Sequence, residues 1–283
     1  MIISIASGKG GTGKTTVATN LAVSVDDPVQ FLDCDVEEPN AHLFLHPTIE
    51  ETKTVNTPVP QIDLDACNQC RKCMDICRFR AIAVVGDMVL TFPELCHSCG
   101  GCMAICPESA ITETDRELGA LEIGHRDGIA FTHGRMRVGE AMAPPLIRLV
   151  RQAGATDGLT LIDAPPGTSC PVIAAMKDTD FVLLVTEPTP FGLHDLTLAV
   201  EAVKILKIPM GLVINRCDIG DDKVKAYAQR EGLPILMEIP FDREIAQCYS
   251  RGEMFTLTLP EWKARFRELL QQIKTLIGKG AGE

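Results

Sequence analysis

Long apolar runs are missing from this sequence: no stretch is continuous enough to cross a bilayer. Excess positive charge is missing too. Lysine and arginine number 27 against 38 aspartates and glutamates, a net charge of −11. That balance argues against a broad electrostatic affinity for nucleic acid. The six histidines form no ligand constellation. No export signal is expected either, because Met1-Ile2-Ile3-Ser4-Ile5-Ala6 runs straight into a glycine loop and reads as a strand. Together these absences lead to the expectation of a cytoplasmic protein. Its 283 residues, 46% of them hydrophobic, suffice for one α/β core and a small second module.

Cysteine is what the chain has in excess. There are 12, and eight lie between Cys67 and Cys106. In a reducing compartment disulfides explain them poorly, and clustered thiols point to metal. The block is an internal repeat: Cys67-x2-Cys70-x2-Cys73-x3-Cys77 recurs 29 residues later as Cys96-x2-Cys99-x2-Cys102-x3-Cys106, and Ala81-Ile82 is echoed by Ala110-Ile111. This spacing lets three close thiolates hold one face of a cubane while the fourth cysteine reaches the other cluster. Two 4Fe–4S clusters are therefore predicted, one on Cys67, Cys70, Cys73 and Cys106, the other on Cys96, Cys99, Cys102 and Cys77. Zinc is the alternative, since four thiolates suit it, although zinc sites usually pair two C-x2-C units across a longer gap. Pro107 follows Cys106 but Arg78 follows Cys77, which predicts a different local backbone and a raised potential for the second cluster. Phe79 and Phe92 are candidate shields, and His97 is read as bonding a sulfur or facing water.

Around this block the pattern is α/β. Ile2–Ala6, a helix from about Lys14 to Val25, and Val29–Asp33 read as strand, helix, strand. From residue 159 apolar runs at Leu159–Ile162, Phe181–Val185, Met210–Ile214 and Ile235–Ile239 alternate with helical patterns at Leu193–Leu206, Asp222–Glu231 and Glu261–Ile277. A doubly wound, mostly parallel sheet is expected over residues 1–60 and 116–283, interrupted by a small α+β module at 61–115. Thr48–Pro60, rich in Thr and Pro, is read as a linker. Phe131–Arg137 suggests a strand and loop, and Pro145–Ala153 a helix.

The segment Gly8-Lys9-Gly10-Gly11-Thr12-Gly13-Lys14-Thr15 fits G-x-x-x-x-G-K-[ST] between a strand and a helix. The backbone N–H groups of such a loop, at a helix N-terminus, cradle phosphate. Lys14 is expected to reach the β- and γ-phosphates, Thr15 to bind magnesium, and Thr16 to contact the α-phosphate.

The string Lys9 to Thr16 resembles the deviant Walker A of the MinD/ParA/Mrp superfamily, which includes the nitrogenase iron protein. The resemblance implies a MinD-like P-loop fold, ATP with Mg2+ as ligand, and slow, partner-stimulated hydrolysis. It also implies that Lys9 acts across an ATP-dependent homodimer. Phe31-Leu32-Asp33-Cys34-Asp35 is similar to the family's Asp-x-Asp; Asp35 would then orient the attacking water and Asp33 would be an outer magnesium partner. Leu161–Thr168 resembles the Walker B and switch II segment in its Mrp form, which would place Asp163 on a magnesium-bound water. Asn215, Arg216 and Pro240 match base-bordering positions.

With the cysteine block, nearly the whole chain resembles MinD-superfamily ATPases carrying an inserted two-cluster ferredoxin domain. The function expected is an ATP-driven dimer switch coupled to electron transfer or to an iron–sulfur partner. The alternatives are a cluster carrier of Mrp type and a positioning ATPase of MinD/ParA type with a redox-sensing module. Thr132–Glu140 is also family-like but carries no assigned chemistry. Cys170 is read as a small buried thiol at a helix start, with a subunit-bridging cluster as the alternative by similarity to the nitrogenase iron protein. Cys34, Cys217 and Cys248 are read as core. The last helix puts Trp262, Phe266, Leu269, Leu270, Ile273 and Ile277 on one face. That face would dock on the sheet; a membrane surface is the other reading, by resemblance to MinD.

Overall fold

The computed structural model describes residues 1–140, 142–154 and 158–280; the expected domain end at 283 lies outside them. The chain opens with β1 (Ile2–Ser7), α1 (Lys14–Ser24), β2 (Val29–Asp33), α2 (His42–Leu45) and β3 (Thr48–Ile62). The cysteine block carries α3 (Lys72–Ile76), β4 (Ile82–Val85), β5 (Met88–Thr91) and α4 (Gly101–Ile105). Then come β6 (Ile111–Arg126), β7 (Ile129–Met136), α5 (Pro144–Gln152), β8 (Leu159–Pro166), α6 (Cys170–Met176) and β9 (Phe181–Thr186). The chain continues through α7 (Pro190–Leu206), β10 (Met210–Asn215), α8 (Lys223–Arg230), β11 (Ile235–Ile239), α9 (Arg243–Ser250), α10 (Phe255–Thr258) and α11 (Pro260–Gly280).

Nine strands form one sheet in the order β11-β10-β9-β1-β8-β2-β7-β6-β3, with β4 and β5 as a separate pair. Only β6 runs against the others. Strands such as β9 are buried along their whole length, as a sheet covered on both faces requires. One core packs Val17, Leu21, Phe255, Phe266 and Leu269 under α1, α10 and α11. The other packs Leu146, Val172, Leu196 and Tyr227 under α5 to α8. Trp262, Phe266, Leu269, Leu270 and Ile273 are all buried, so the apolar face of α11 is spent on docking. No described helix is long and apolar enough to cross a membrane.

Thr48–Pro60 is not a linker. It forms most of β3, a 15-residue strand paired antiparallel with β6 from Thr48↔His125 to Ile62↔Ile111. Val55, Thr57 and Val59 are buried in strict alternation, the period-2 signal of a half-buried strand. Pro58 and Pro60 obscure it, yet both are tolerated because β3 is the sheet's edge, where every second N–H faces outward. The cysteine block thus hangs from the end of a long hairpin continuous with the main sheet.

Four contacts fix that arrangement. Thr57 and Ser98 share a hydroxyl bond of 2.7 Å. Arg116 on β6 donates to the Pro93 carbonyl at 3.0 Å and pairs with Glu140 at 2.5 Å. Arg137 reaches the same Glu140 oxygen at 3.0 Å. Arg116 is thus the residue of β6 that reaches the cysteine block, and Glu140 ties the Thr132–Glu140 segment to it.

At the hairpin's base His133 is buried and bonds Glu122 at 2.5 Å through Nε2. Its Nδ1 has no partner among the described residues, nor has Nδ1 of His42, whose ring lies 5.2 Å away. A proton on either orphan nitrogen would be a buried donor with no acceptor among the described residues. Burial accordingly lowers the His133 pKa, outweighing Glu122, and burial followed by the neighbouring His133 lowers that of His42. A histidine depressed in the fold stabilises it fully above the unfolded value of about 6.5, and that stability is lost as pH falls toward the folded values. We expect Tm to drop on acidification from pH 6.5 to 5, and His133→Gln to flatten that drop in thermal melts.

Candidate functional site

Because β1, β2, β8 and β10 run parallel, their carboxyl ends lie along one edge of the sheet, where open α/β sheets bind ligands. Ser7 leads into the glycine loop, and Asp33 and Asp163 are direct register partners. Asn215 closes the row on β10. A cavity opens here, lined among others by Gly10, Gly11, Gly13, Lys14, Thr15 and Thr16. Asp35, Asn215, Arg216 and Pro240 line its other walls. These expected residues converge on one space, whereas Gly8, Lys9, Thr12, Asp33 and Asp163 are absent from its described lining.

The loop is built to receive an anion. Gly13 caps α1 at φ 91°, a left-handed conformation, and a Cβ there would lie 2.3 Å from Asn215 Nδ2. No side chain caps α1, so its first N–H groups stay available to a ligand. The Thr12 hydroxyl is buried without a partner among the described residues. Gly8 serves packing, since a Cβ there would lie 2.1 Å from the Asp195 carbonyl oxygen. Asn215 braces the loop by donating to the Thr12 carbonyl at 2.9 Å, while its Oδ1 accepts from Arg216 N.

Lys14 is buried among carboxylates. Its Nζ bonds Asp163 Oδ1 at 2.5 Å and stands 3.7 Å from Asp35 Oδ2. The Thr15 hydroxyl donates to the other Asp163 oxygen at 2.6 Å. Burial alone would lower the Lys14 pKa, but Asp163, Asp35 and Asp33 together raise it. Burial pushes the Asp35 carboxyl up to about 6. Asp33 goes to about 8, from burial and then the Asp163 charge. Asp33 uses both oxygens to accept backbone N–H groups, Oδ1 from Asp35 and Oδ2 from Ala41, each at 3.0 Å. It is a brace that shapes the Asp35 loop, which confines it to an outer position.

Lys9 points to its own chain and is bound by Glu187, which Arg216 also approaches at 3.4 Å. Glu187 was not singled out in the sequence. Its signal was there: a carboxylate one residue past the end of a buried parallel strand. Phe44 and Tyr249, 5.2 Å apart, and Phe241, beside Pro240 in the loop expected to border the base, add an aromatic wall; no local motif marks Phe44 or Tyr249.

The cysteine block forms two cavities. One is lined by Cys67, Cys70, Cys73 and Cys106, the other by Cys77, Cys96, Cys99 and Cys102. Each set draws three thiols from one repeat and one from the other. Ala81 N–H donates to Cys77 Sγ at 3.2 Å, and Ala110 N–H to Cys106 Sγ at 3.4 Å, and the echoed Ala-Ile pairs are both buried. Among the described residues no three His, Cys, Asp or Glu side chains converge on a single-ion site. Four thiols around a shared space, without convergence on one point, fit a multi-atom cluster better than tetrahedral zinc. Phe79 stacks on the His97 ring at 3.4 Å, and both line the second cavity. Phe92 is absent from the described lining of either. Cys34 and Cys248 are core, whereas Cys217 is half-buried. Cys170 is exposed at the start of α6, not buried; Pro171 and the short helix leave the thiol on the rim.

Residues 3–255 match the family model for the CobQ/CobB/MinD/ParA nucleotide-binding domain. An uncharacterized protein of Methanocaldococcus jannaschii is 31% identical, over 90% of this chain and 91% of its own. An iron-sulfur cluster carrier protein of Aquifex aeolicus is 26% identical, over 92% of this chain and 63% of its own length. Among solved structures, the septum site-determining protein MinD of Pyrococcus horikoshii, complexed with Mg-ADP, superposes with a TM-score of 0.60. It is 22% identical, over 98% of this chain and 97% of that one.

Proposed function

Since this chain belongs to the CobQ/CobB/MinD/ParA family of nucleotide-binding domains, we propose that it binds and hydrolyses ATP and couples that cycle to two 4Fe–4S clusters held at 61–115. The observation that carries this reading is the pairing of two four-thiol cavities, each shared between the repeats, with a phosphate loop on the same continuous sheet. When bound, the clusters would supply one-electron chemistry. Cys67, Cys70, Cys73 and Cys106 would hold one, and Cys77, Cys96, Cys99 and Cys102 the other.

The nucleotide chemistry follows from the chain's own groups. Lys14 bonds Asp163 here and would leave it to meet the phosphates; Thr15 and Asp163 are the residues that would hold magnesium, which when bound would neutralise phosphate charge. Asp35, which lines the cavity, would orient the attacking water. Asn215 and Pro240 border the base. Lys9 must leave Glu187 before it can act on a second copy's nucleotide. Lys9→Ala is expected to keep ATP binding yet lower hydrolysis by about 100-fold or more, as loss of a trans cation does. Steady-state ADP release at several protein concentrations checks it; a wild-type rate would remove the cross-dimer role.

A second reading, cluster carrier, is favoured by the carrier names among the relatives and by the exposed Cys170. Anaerobic reconstitution, with iron and sulfide counted per chain, tests the first. About eight irons that stay bound on incubation with an apo-ferredoxin support it. Transfer to that acceptor supports the carrier, and zinc in place of iron overturns both.

A further inference from the structure

The two copies of the cysteine repeat differ in charge, not in fold. The first carries Arg71, Lys72, Arg78 and Arg80, all exposed. The positions 29 residues later hold Gly100, Gly101, Pro107 and Ser109. All four cations of the first copy are neutral in the second. None of the four has an ion-pair partner among the described residues. Arg71 and Lys72 line the cavity of Cys67, Cys70, Cys73 and Cys106, beside the exposed Cys70.

The backbone makes Arg71 an expensive choice. It caps α3 at φ 64°, where its counterpart Gly100 caps α4 at φ 72°. Glycine enters this left-handed region freely and arginine does not. Arg80 stands at φ 55°, as its counterpart Ser109 does at φ 52°, so the contrast with glycine belongs to Arg71 alone. Strain held at an exposed position where the sister repeat uses glycine points to a use for the side chain. Arg71 caps α3, Lys72 opens it, and Arg78 and Arg80 follow its end, so the four cations lie on one short turn–helix–turn of the first repeat. Acidic groups flank this face as well: Asp75 on α3, Glu108 bonded to Asn68, Asp63 and Asp65 before Cys67, and Asp87, whose carbonyl accepts from Gln69.

On a chain of net charge −11 such a patch orients as well as attracts. An acidic partner is repelled elsewhere and admitted here. We propose that the first repeat's face, at Arg71, Lys72, Arg78 and Arg80, docks an acidic one-electron carrier protein of ferredoxin type. This rests on the reading that the module holds clusters. One electron passes from the carrier's reduced cluster, which is oxidised, to the cluster on Cys67, Cys70, Cys73 and Cys106, which is reduced; no bond or proton moves. Arg71 and Lys72 line the first cavity, whereas Arg78 and Arg80 flank Phe79, which with Cys77 and His97 lines the second.

The test uses the full, cluster-loaded chain and an acidic two-cluster ferredoxin as probe. The variant Arg71→Gly, Lys72→Gly, Arg80→Ser installs the second copy's own residues. At low salt we expect it to dock the ferredoxin at least tenfold more weakly than wild type, with a flatter salt dependence. Electron transfer from the reduced ferredoxin should slow in proportion. Iron content and reduction by dithionite should stay within twofold of wild type. Equal docking by wild type and variant, or no docking by wild type, overturns the proposal. A wild type that docks the probe but holds no iron overturns the cluster reading instead, and the electron transfer with it.

Discussion

Lys14→Ala is expected to abolish ATP hydrolysis, roughly 10²–10³-fold or more, since it removes a charged group aimed at the phosphates. Iron content should stay at the wild-type value, because the cysteine cavities share no residue with the loop. The structure adds a cost that the motif alone does not. Lys14 is the cation among Asp163, Asp35 and Asp33, and the side chains of Lys14 and Asp163 are 7% and 1% exposed. Deleting one partner of a buried pair leaves the other unpaired, at about 3–5 kcal/mol. Protonation relieves part of this, as the Asp33 carboxyl is already pushed up to about 8. The variant should therefore melt earlier, and Asp163→Asn in the same background should recover stability without recovering hydrolysis. Loss of iron together with hydrolysis in Lys14→Ala would contradict two separable sites.

Cys106→Ser carries the second large effect, at a distance in the sequence. Cys106 closes the second repeat but lines the first repeat's cavity with Cys67, Cys70 and Cys73. Its loss should lower iron from about eight to about four per chain. The EPR signal that remains should match that of Cys70→Ser, and Cys77→Ser should leave the complementary one. ATP hydrolysis should persist in all three. A signal from Cys106→Ser that matched Cys99→Ser would mean that each repeat closes on itself.

Features written in local spacing were legible. The phosphate loop, the strands at Val29–Asp33 and Ile235–Ile239, and the cysteine repeat each follow from a few neighbouring residues. The thiol sharing could be read because the three-residue gap before the last cysteine of each run leaves it facing away. Features made by long-range pairing were not. Pro58 and Pro60 hid β3, because only an edge strand tolerates them and edges are set by the whole sheet. Glu140 has meaning only opposite Arg116, and Glu187 only opposite Lys9. His133 in the sequence is a lone histidine; Glu122 and His42 give it chemistry. Asp33, expected as an outer magnesium partner, also braces the Asp35 loop and Ala41 through backbone N–H groups, a role no local spacing marks.

Structure offers a path between the two sites. Phe44 on α2 lines the nucleotide cavity, while Arg126, at the base of the hairpin that bears the cysteines, donates to the Phe44 and Leu45 carbonyls at 3.2 and 2.7 Å. Asp33 holds Ala41 at the start of the same short helix. A change at the phosphates that moves the Asp35 loop would thus bear on the hairpin.

An anaerobic redox titration of the cluster-loaded protein, read by EPR with and without magnesium and a non-hydrolysable ATP analogue, tests the coupling directly. We predict that the analogue moves at least one cluster potential by tens of millivolts, where 59 mV corresponds to a tenfold change in a one-electron equilibrium. Two reducible clusters with potentials indifferent to nucleotide would contradict it.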